Sequence, residues 1–599
     1  MDYFHADEVQ DRSYDSALMK RLLRYLGPYK KLVSVSILLL LFVSLFQLAP
    51  PMLVKVAIDR YLDPSRGLPE SARINGLLAV SLLFLGVLVL GFAFRYLQIY
   101  IMSYIGQRVM FDVRMQVFSH LQRLEMAFFD KNPVGRLMTR ITNDIEVLNE
   151  MFTSGVVSIF LDLFTLAGIV VVLCYLDVKL ALLSFVVLPL LFLCALLFRF
   201  FVRTSYRNVR KRLARINAFL QENLTGMTVI QMFSRERRQM DTFAGLNDKL
   251  YKAHIKSILA YAVFFPTVEL LSSLAIALIL WYGGGGVIEG AITFGALVAF
   301  IQYAQRFYRP ISDLSEKYNI LQSAMASSER LFGLLDTRAK INEPRKPVAL
   351  PAEAAEIRFE NVRFSYNPGE EVLHGIDFTV SAGEKVAIVG YTGAGKTTII
   401  NLLSRFYDVT GGRVTIAGID VRDVALPQLR RYIATVLQDV FLFSGNVAYN
   451  IHLGDERIDE KTVREISTYI NAATFIEKLP MKYREEVGER GNSLSVGERQ
   501  LLAFARALVY DPKVLVLDEA TSSVDTETEF LIQDALRKFM KGRTSLVIAH
   551  RLSTIRYVDR IIVLHKGRIA ESGTHRELLE RGGLYKKLYE LQYQEQEQH

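Results

Sequence analysis

An apolar run of about 20 residues is long enough to cross a bilayer, and a chain that carries several must fold around a membrane. This chain of 599 residues has six, near 32–54, 75–98, 153–175, 178–200, 258–282 and 286–308, all in its first half. Such a length exceeds one hydrophobic core. The second half reads as a soluble α/β domain. The expected fold is therefore a membrane α-helical unit, six transmembrane helices with long cytoplasmic extensions, followed by an α/β phosphate-loop domain.

The connections set the topology. Asp177 marks a short turn between runs three and four, and Gly283 to Gly286 is expected as a tight turn between runs five and six. Tyr61 to Gly76, polar and Pro-containing, joins runs one and two. The long connections, roughly 99–152 and 201–257, alternate charged and apolar residues at helical spacing, so the spans continue as helices past the membrane. Ile99 to Phe152 holds six Lys or Arg and Arg199 to Lys256 holds thirteen. The positive-inside rule puts both connections, the N-terminus and the C-terminal half in the cytoplasm. The plasma membrane, in a bacterium the inner membrane, is the expected location.

Near the start, Leu18, Leu22, Leu23 and Leu26 recur at helical spacing with Lys20, Arg21 and Arg24 between them. Ser16 to Tyr29 thus reads as a helix on the cytoplasmic membrane surface, in contact with membrane lipid. The first thirty residues have no apolar core of a cleavable signal peptide. Cys174 and Cys194 sit inside apolar runs and suggest no disulfide framework. The formal charge of +9 fits basic loops beside a membrane, and six spans exclude a soluble ATPase acting on nucleic acid. Asp162 and Glu269 stand inside spans three and five. Each either faces a cavity for a cationic or polar substrate or is satisfied between helices. The long connections break at Phe128 to Arg136 and at Gly226 to Phe233, candidate docking tips for the soluble domain.

The soluble half has its own centre. Gly390, Tyr391, Thr392, Gly393, Ala394, Gly395, Lys396, Thr397 and Thr398 fit G-x-x-x-x-G-K-[ST], with a β-type run Lys385–Val389 before and a helical run after. Glycines let backbone N–H groups cradle phosphate oxygens, and the helix N-terminus adds positive partial charge. Lys396 is expected on the β- and γ-phosphates of ATP and Thr397 on Mg²⁺. Before it lies a polar linker, 336–356, then short strands Ile357–Phe359, Val362–Ser365 and Asp377–Val380. Tyr366, which closes the second, either stacks on an adenine ring or is a strand-end aromatic. Ser495 and Glu498 form an S-x-x-E capping box before an apolar helix, a second anion-binding helix end. Val514 to Glu519 is an apolar strand ending in two acids. Asp518 is expected on Mg²⁺ and Glu519 on the attacking water. Ser545 to His550 is another such strand, ending in a histidine. Residues 593–599 read as a polar, unstructured tail.

With these residues in order, the chain resembles an ATP-binding cassette (ABC) exporter half-transporter of the type I exporter fold, multidrug or lipid branch. The resemblance covers nearly the whole chain, from the first amphipathic helix to about residue 592. It implies a transmembrane domain over 1–335 and a nucleotide-binding domain over 357–592. It implies Tyr366 as the adenine-stacking aromatic, Gly390–Thr398 as Walker A, Gln438 as the Q-loop glutamine and a Mg²⁺ contact, and Leu494–Gln500 as the signature. Val514–Glu519 matches Walker B, Ser522–Asp525 the D-loop, and His550 the switch histidine. Glu519 and His550 are then the catalytic pair. Two halves would dimerise head to tail, each ATP lying between Walker A of one chain and Ser495, Val496, Gly497 and Glu498 of the other. The tips near 128–134 and 226–233 look like coupling helices.

The signature departs from the family's Leu-Ser-Gly-Gly-Gln. Val496 puts a branched side chain where a phosphate must approach, and Glu498 brings negative charge toward an anion. The chain's own Walker half is complete, which favours a heterodimer with a second half-transporter; a homodimer is the alternative. The implied activity is ATP-driven export of a drug-like amphiphile, a lipid or a peptide. An ATP-gated channel or regulatory subunit on the same fold is the competing reading, against which intact Glu519 and His550 argue.

Overall fold

The structure is a computed structural model and describes residues 15–63, 67–353, 355–518, 526–549 and 555–597. It divides into two compact units, Met1–Gln122 with Val134–Thr337, and Arg123–Pro133 with Arg338–His599.

The first unit is helical. α1, Ser16–Arg24, starts at Asp15, whose carboxylate accepts from the Ala17 and Leu18 amides. The amphipathic stretch then breaks before Pro28 into a 3₁₀ turn, Gly27–Tyr29. There follow α2 (Lys30–Ala57), α3 (Glu70–Leu121), α4 (Met126–Lys131), α5 (Val134–Thr139), α6 (Ile145–Glu150) and α7 (Val157–Leu176). Single π-helical turns, Arg140–Asp144 and Met151–Val156, join the last three. After Asp177, which caps α8 (Val178–Phe185) through the Leu180 amide at 2.7 Å, come α9 (Leu188–Thr225), α10 (Met227–Met232), α11 (Glu236–Ile288) and α12 (Phe294–Leu335). α11 has 53 residues, about 80 Å at 1.5 Å per residue, against a hydrocarbon core of about 30 Å. The spans therefore continue well beyond the membrane as helices.

Among the described residues, five helical segments are long and apolar enough to cross: 27–62, 70–121, 134–176, 178–225 and 236–288. The sixth expected run, 286–308, begins on the last residues of α11, crosses the connection and lies on α12 only from Phe294. Leu78, Leu82, Leu85, Val89 and Phe92 of α3 are all exposed, as lipid-facing residues must be. The helices pack around Ile169, Leu180, Ile279, Phe300 and Tyr303.

One expected turn is overturned. Gly283 to Gly286 is helical, and α11 runs on to Ile288; the connection is 289–293. A Cβ on Gly283 would stand 2.7 Å from Leu297 Cδ1 and 3.3 Å from Leu180 Cδ2. The glycine is there for close helix packing, a use lipid-embedded helices favour.

The second unit holds α4 and the soluble half. Its strands are β1 (Ile357–Ser365), β2 (Glu371–Val380), β3 (Lys385–Val389), β4 (Gly411–Ile416), β5 (Ile419–Asp420), β6 (Ile433–Val436), β7 (Gly445–Asn446), β8 (Glu486–Val487), β9 (Val514–Asp518), β10 (Thr544–Ile548), β11 (Arg560–His565) and β12 (Arg568–Gly573). The first two expected strands are one: β1 stays continuous through a register shift between Phe359 and Val362. Sheet order is β2-β1-β4-β5, β12-β11-β3-β10-β9-β6 and β7-β8. β10 is buried along its whole length and parallel to both neighbours, β3 and β9, as central strands covered on both faces are. The tail expected as unstructured from 593 continues a helix, Leu584–Glu597.

Candidate functional site: a phosphate loop at the sheet edge

β3 ends at Val389 and the loop Gly390–Gly395 turns into α13, Lys396–Leu403. A Cβ on Gly390 would lie 2.2 Å from the Leu564 carbonyl oxygen, so only glycine fits. Gly395 sits at φ 102° and caps α13 without a side chain, which leaves the first amides of the helix open. Together they form a concave row of donors shaped for phosphate oxygens. Lys396, 7% exposed, folds under the loop and donates to the Gly390 and Tyr391 carbonyls at 2.7 and 3.1 Å. Burial holds its ammonium below the ordinary lysine value, and the charge of Asp518 opposes that shift. Thr392, Gly393 and Thr397 are exposed; Ala394 and Thr398 are buried.

The parallel register brings the other predicted residues to the same edge. Ile548 pairs with both Ile388 and Asp518, so the loop and Asp518 lie at the carboxyl ends of strands separated by one strand. Val436 pairs with Leu517, which sets exposed Gln438, two residues on, at that edge too. Ligands of open α/β sheets gather at such an edge. Glu519, His550 and the D-loop Ser522–Asp525 lie outside the described residues.

Tyr366 follows β1, and its ring, in a residue 38% exposed, stands edge-on to Phe364 and Tyr407 at 4.8 and 5.1 Å. Its hydroxyl shares a hydrogen bond with the Thr398 hydroxyl at 3.1 Å and accepts from Asn401 Nδ2 at 3.3 Å. The ring is thus held to β1 through Phe364 and to α13 through its hydroxyl.

Ser495 starts a helix, Val496–Leu508, with both halves of the capping box formed. The Ser495 hydroxyl accepts from the Glu498 amide at 3.3 Å, and the Glu498 carboxylate accepts from the Ser495 amide at 2.7 Å. Val496 is 45% exposed and Gly497 buried. Glu498 therefore turns its charge onto its own helix end, where the helix dipole favours it. Sequence reasoning missed Arg506 on this helix. Its guanidinium donates to the Asn450 and Phe441 carbonyls, 2.8 Å each, and ties the helix to the segment after Gln438. The apolar context of Arg506 gives no local signal of that role.

In the first unit, Asp162 pairs with Lys317 of α12 and is satisfied between helices. Glu269 is exposed on α11, three residues after Pro266. The structure does not bring the two acids into one cluster of ion pairs.

The chain matches the family model of the ABC transporter transmembrane region over 33–311 and that of the ABC transporter over 373–522. It is similar to the uncharacterized ABC transporter ATP-binding protein YknV of Bacillus subtilis, 41% identical over 99% of this chain and 97% of that protein. It is also similar to an ATP-dependent lipid A-core flippase of Syntrophus aciditrophicus, 39% identical over 96% and 95%. A solved bacterial Atm1-family ABC exporter with ATP bound matches at a TM-score of 0.76 and 30% identity, over 96% of this chain and 99% of that one. This chain belongs to the ABC transporter family, as an exporter-type half-transporter of the bacterial inner membrane that couples ATP hydrolysis in its cytoplasmic domain to transport.

Proposed function

We propose that the chain exports a hydrophobic or amphiphilic substrate as one half of a heterodimer and supplies the catalytically complete Walker half. The observation that carries the pairing is the helix end at Ser495. Exposed Val496 and the acid Glu498 stand on the surface that the resemblance assigns to the partner's ATP. That surface is poorer for a triphosphate than the chain's own loop. The lipid A-core flippase among the relatives supports a lipid-like amphiphile.

In this reading Lys396 and the open amides of α13 hold the phosphates and Tyr366 holds the base. Thr397, Gln438 and Asp518 would hold Mg²⁺, which supplies charge neutralisation on the phosphates. Glu519 takes the proton of the attacking water, with His550 as the switch histidine. α10, with exposed Val229, Met232 and Phe233, is read as a docking tip for a soluble domain. Glu269, exposed on α11, is then the acid left to meet a cationic or polar headgroup.

The test is the ATPase rate of the chain purified in lipid, with its oligomeric state read on the same sample. Glu519→Gln is expected to keep ATP binding and abolish turnover. Hydrolysis that survives this change refutes the catalytic assignment. A chain that pumps at full rate as a homodimer refutes the heterodimer.

A further inference from the structure

The α4 tip belongs to the second unit and is held there at two points. The Glu125 carboxylate accepts from the Lys340 and Ile341 amides at 2.5 and 3.2 Å. At the other end the Tyr407 hydroxyl donates to the Asp130 carboxylate, across 277 residues of sequence.

Tyr407 is not an isolated anchor. It closes the turn after α13, where Arg405, at φ 51° and 3% exposed, is fixed by Asp408 and by the Asn342 carbonyl, 3.0 Å each. Its ring is edge-on to Tyr366 at 5.1 Å and to Phe364 at 5.6 Å. Such geometry is the favoured one for aromatic pairs and fixes one ring relative to the next. Burial first, and then Asp130, hold the phenol above the ordinary tyrosine value, so it is a donor throughout the neutral range. Packing against Tyr366 asks only for a ring, which phenylalanine would supply. The hydroxyl is spent on α4.

We propose that Tyr407 is a positioning residue that reports the presence of the nucleotide base at Tyr366 to the α4 tip. A base stacked on Tyr366 restricts that ring, the edge-on contact restricts Tyr407, and the Tyr407 hydroxyl then holds Asp130. The triphosphate alone, bound at the loop, reaches Tyr366 only at its hydroxyl, through Thr398, and leaves the ring face free. The proposal rests on the reading of Tyr366 as the base-stacking residue.

Hydrogen exchange of amides 123–133 in the full-length transporter in lipid bilayers tests it, without divalent cation so that nothing turns over. The probes are ATP and inorganic tripolyphosphate. ATP is expected to slow exchange by about tenfold and tripolyphosphate to slow it far less, on the scale of local opening. Tyr407→Phe should abolish the ATP effect while binding ATP as the parent does. Asp130→Ala, on an exposed residue outside the ring cluster, should do the same. Equal protection by the two probes, or an ATP effect that survives both substitutions, overturns the proposal. Tyr366→Ala separates the underlying reading. It should weaken ATP by about tenfold or more, the worth of one base stacked on an aromatic ring, and leave tripolyphosphate unchanged. Unchanged ATP binding there refutes Tyr366 as the base site, whatever exchange at α4 shows.

Discussion

Two glycines of one loop separate steric need from backbone need. A methyl on Gly390 would meet the Leu564 carbonyl oxygen at 2.2 Å, backbone that cannot rotate away. A methyl on Gly393 would meet nothing within 4 Å, and only the φ of +81° there opposes a side chain. Gly390→Ala is therefore expected to cost about 2–4 kcal/mol and all ATP binding. Gly393→Ala should cost about 1–2 kcal/mol. Thermal unfolding and nucleotide binding of the two variants check the order; equal costs would mean that strain, not the carbonyl, decides. At the signature, Glu498→Gln keeps an acceptor for the Ser495 amide and removes only a charge at a helix end, worth about 0.3–1 kcal/mol. Stability should barely move. ATP affinity at the composite site should rise, since the anion there no longer faces a carboxylate; a fall in affinity would mean the carboxylate serves the site. The capping box was legible because both partners lie within one turn. The Tyr407–Asp130 bond was not, because no local pattern links residues so far apart.

At the level of elements, the first helix is more than a membrane float. Arg21 grips Asp336 through two hydrogen bonds, 2.6 and 2.8 Å, with its guanidinium 4.2 Å over the Phe332 ring. Tyr25 donates to Gln116 and Tyr29 to Asp112. α1 and the turn after it therefore hold the ends of α12 and α3. The Arg21 guanidinium holds the Asp336 carboxyl below its ordinary value. The bond contributes fully above the usual carboxylate range and is lost as pH falls through the depressed value. The pair is largely exposed, so it is worth under about 1 kcal/mol. Arg21→Ala should speed exchange of the α1 amides at pH 7 and have no effect once Asp336 is protonated. An effect that is the same at both pH values would assign the clamp to the Phe332 contact instead. Hydropathy made the spans legible because lipid imposes one requirement along some 20 residues. The Gly283–Gly286 run misled because glycine signals a turn in water, whereas between packed helices it signals close approach to Leu180 and Leu297.

For the whole molecule, the composite site makes assembly testable by crossing defects. If two copies pair head to tail, Lys396→Ala disables both loops of a homodimer and Ser495→Arg disables both signature ends. Co-assembly of the two variants places both defects in one site. The other site keeps an intact Lys396 facing an intact Ser495. A homodimer should therefore recover part of the ATPase rate on mixing, although each variant alone is inactive. The heterodimer reading expects no recovery, because the second chain, with its own signature end, is the missing piece. Under that reading, the rate returns only when the partner half is added, and Lys396→Ala in this chain then removes nearly all of it. That reading rests on one surface: with Val496 exposed and Glu498 turned onto its helix end, the surface proposed to meet the partner's triphosphate would be a weaker half-site than the loop this chain keeps. Recovery on mixing would show that the capping box neutralises Glu498 well enough for the altered signature to work.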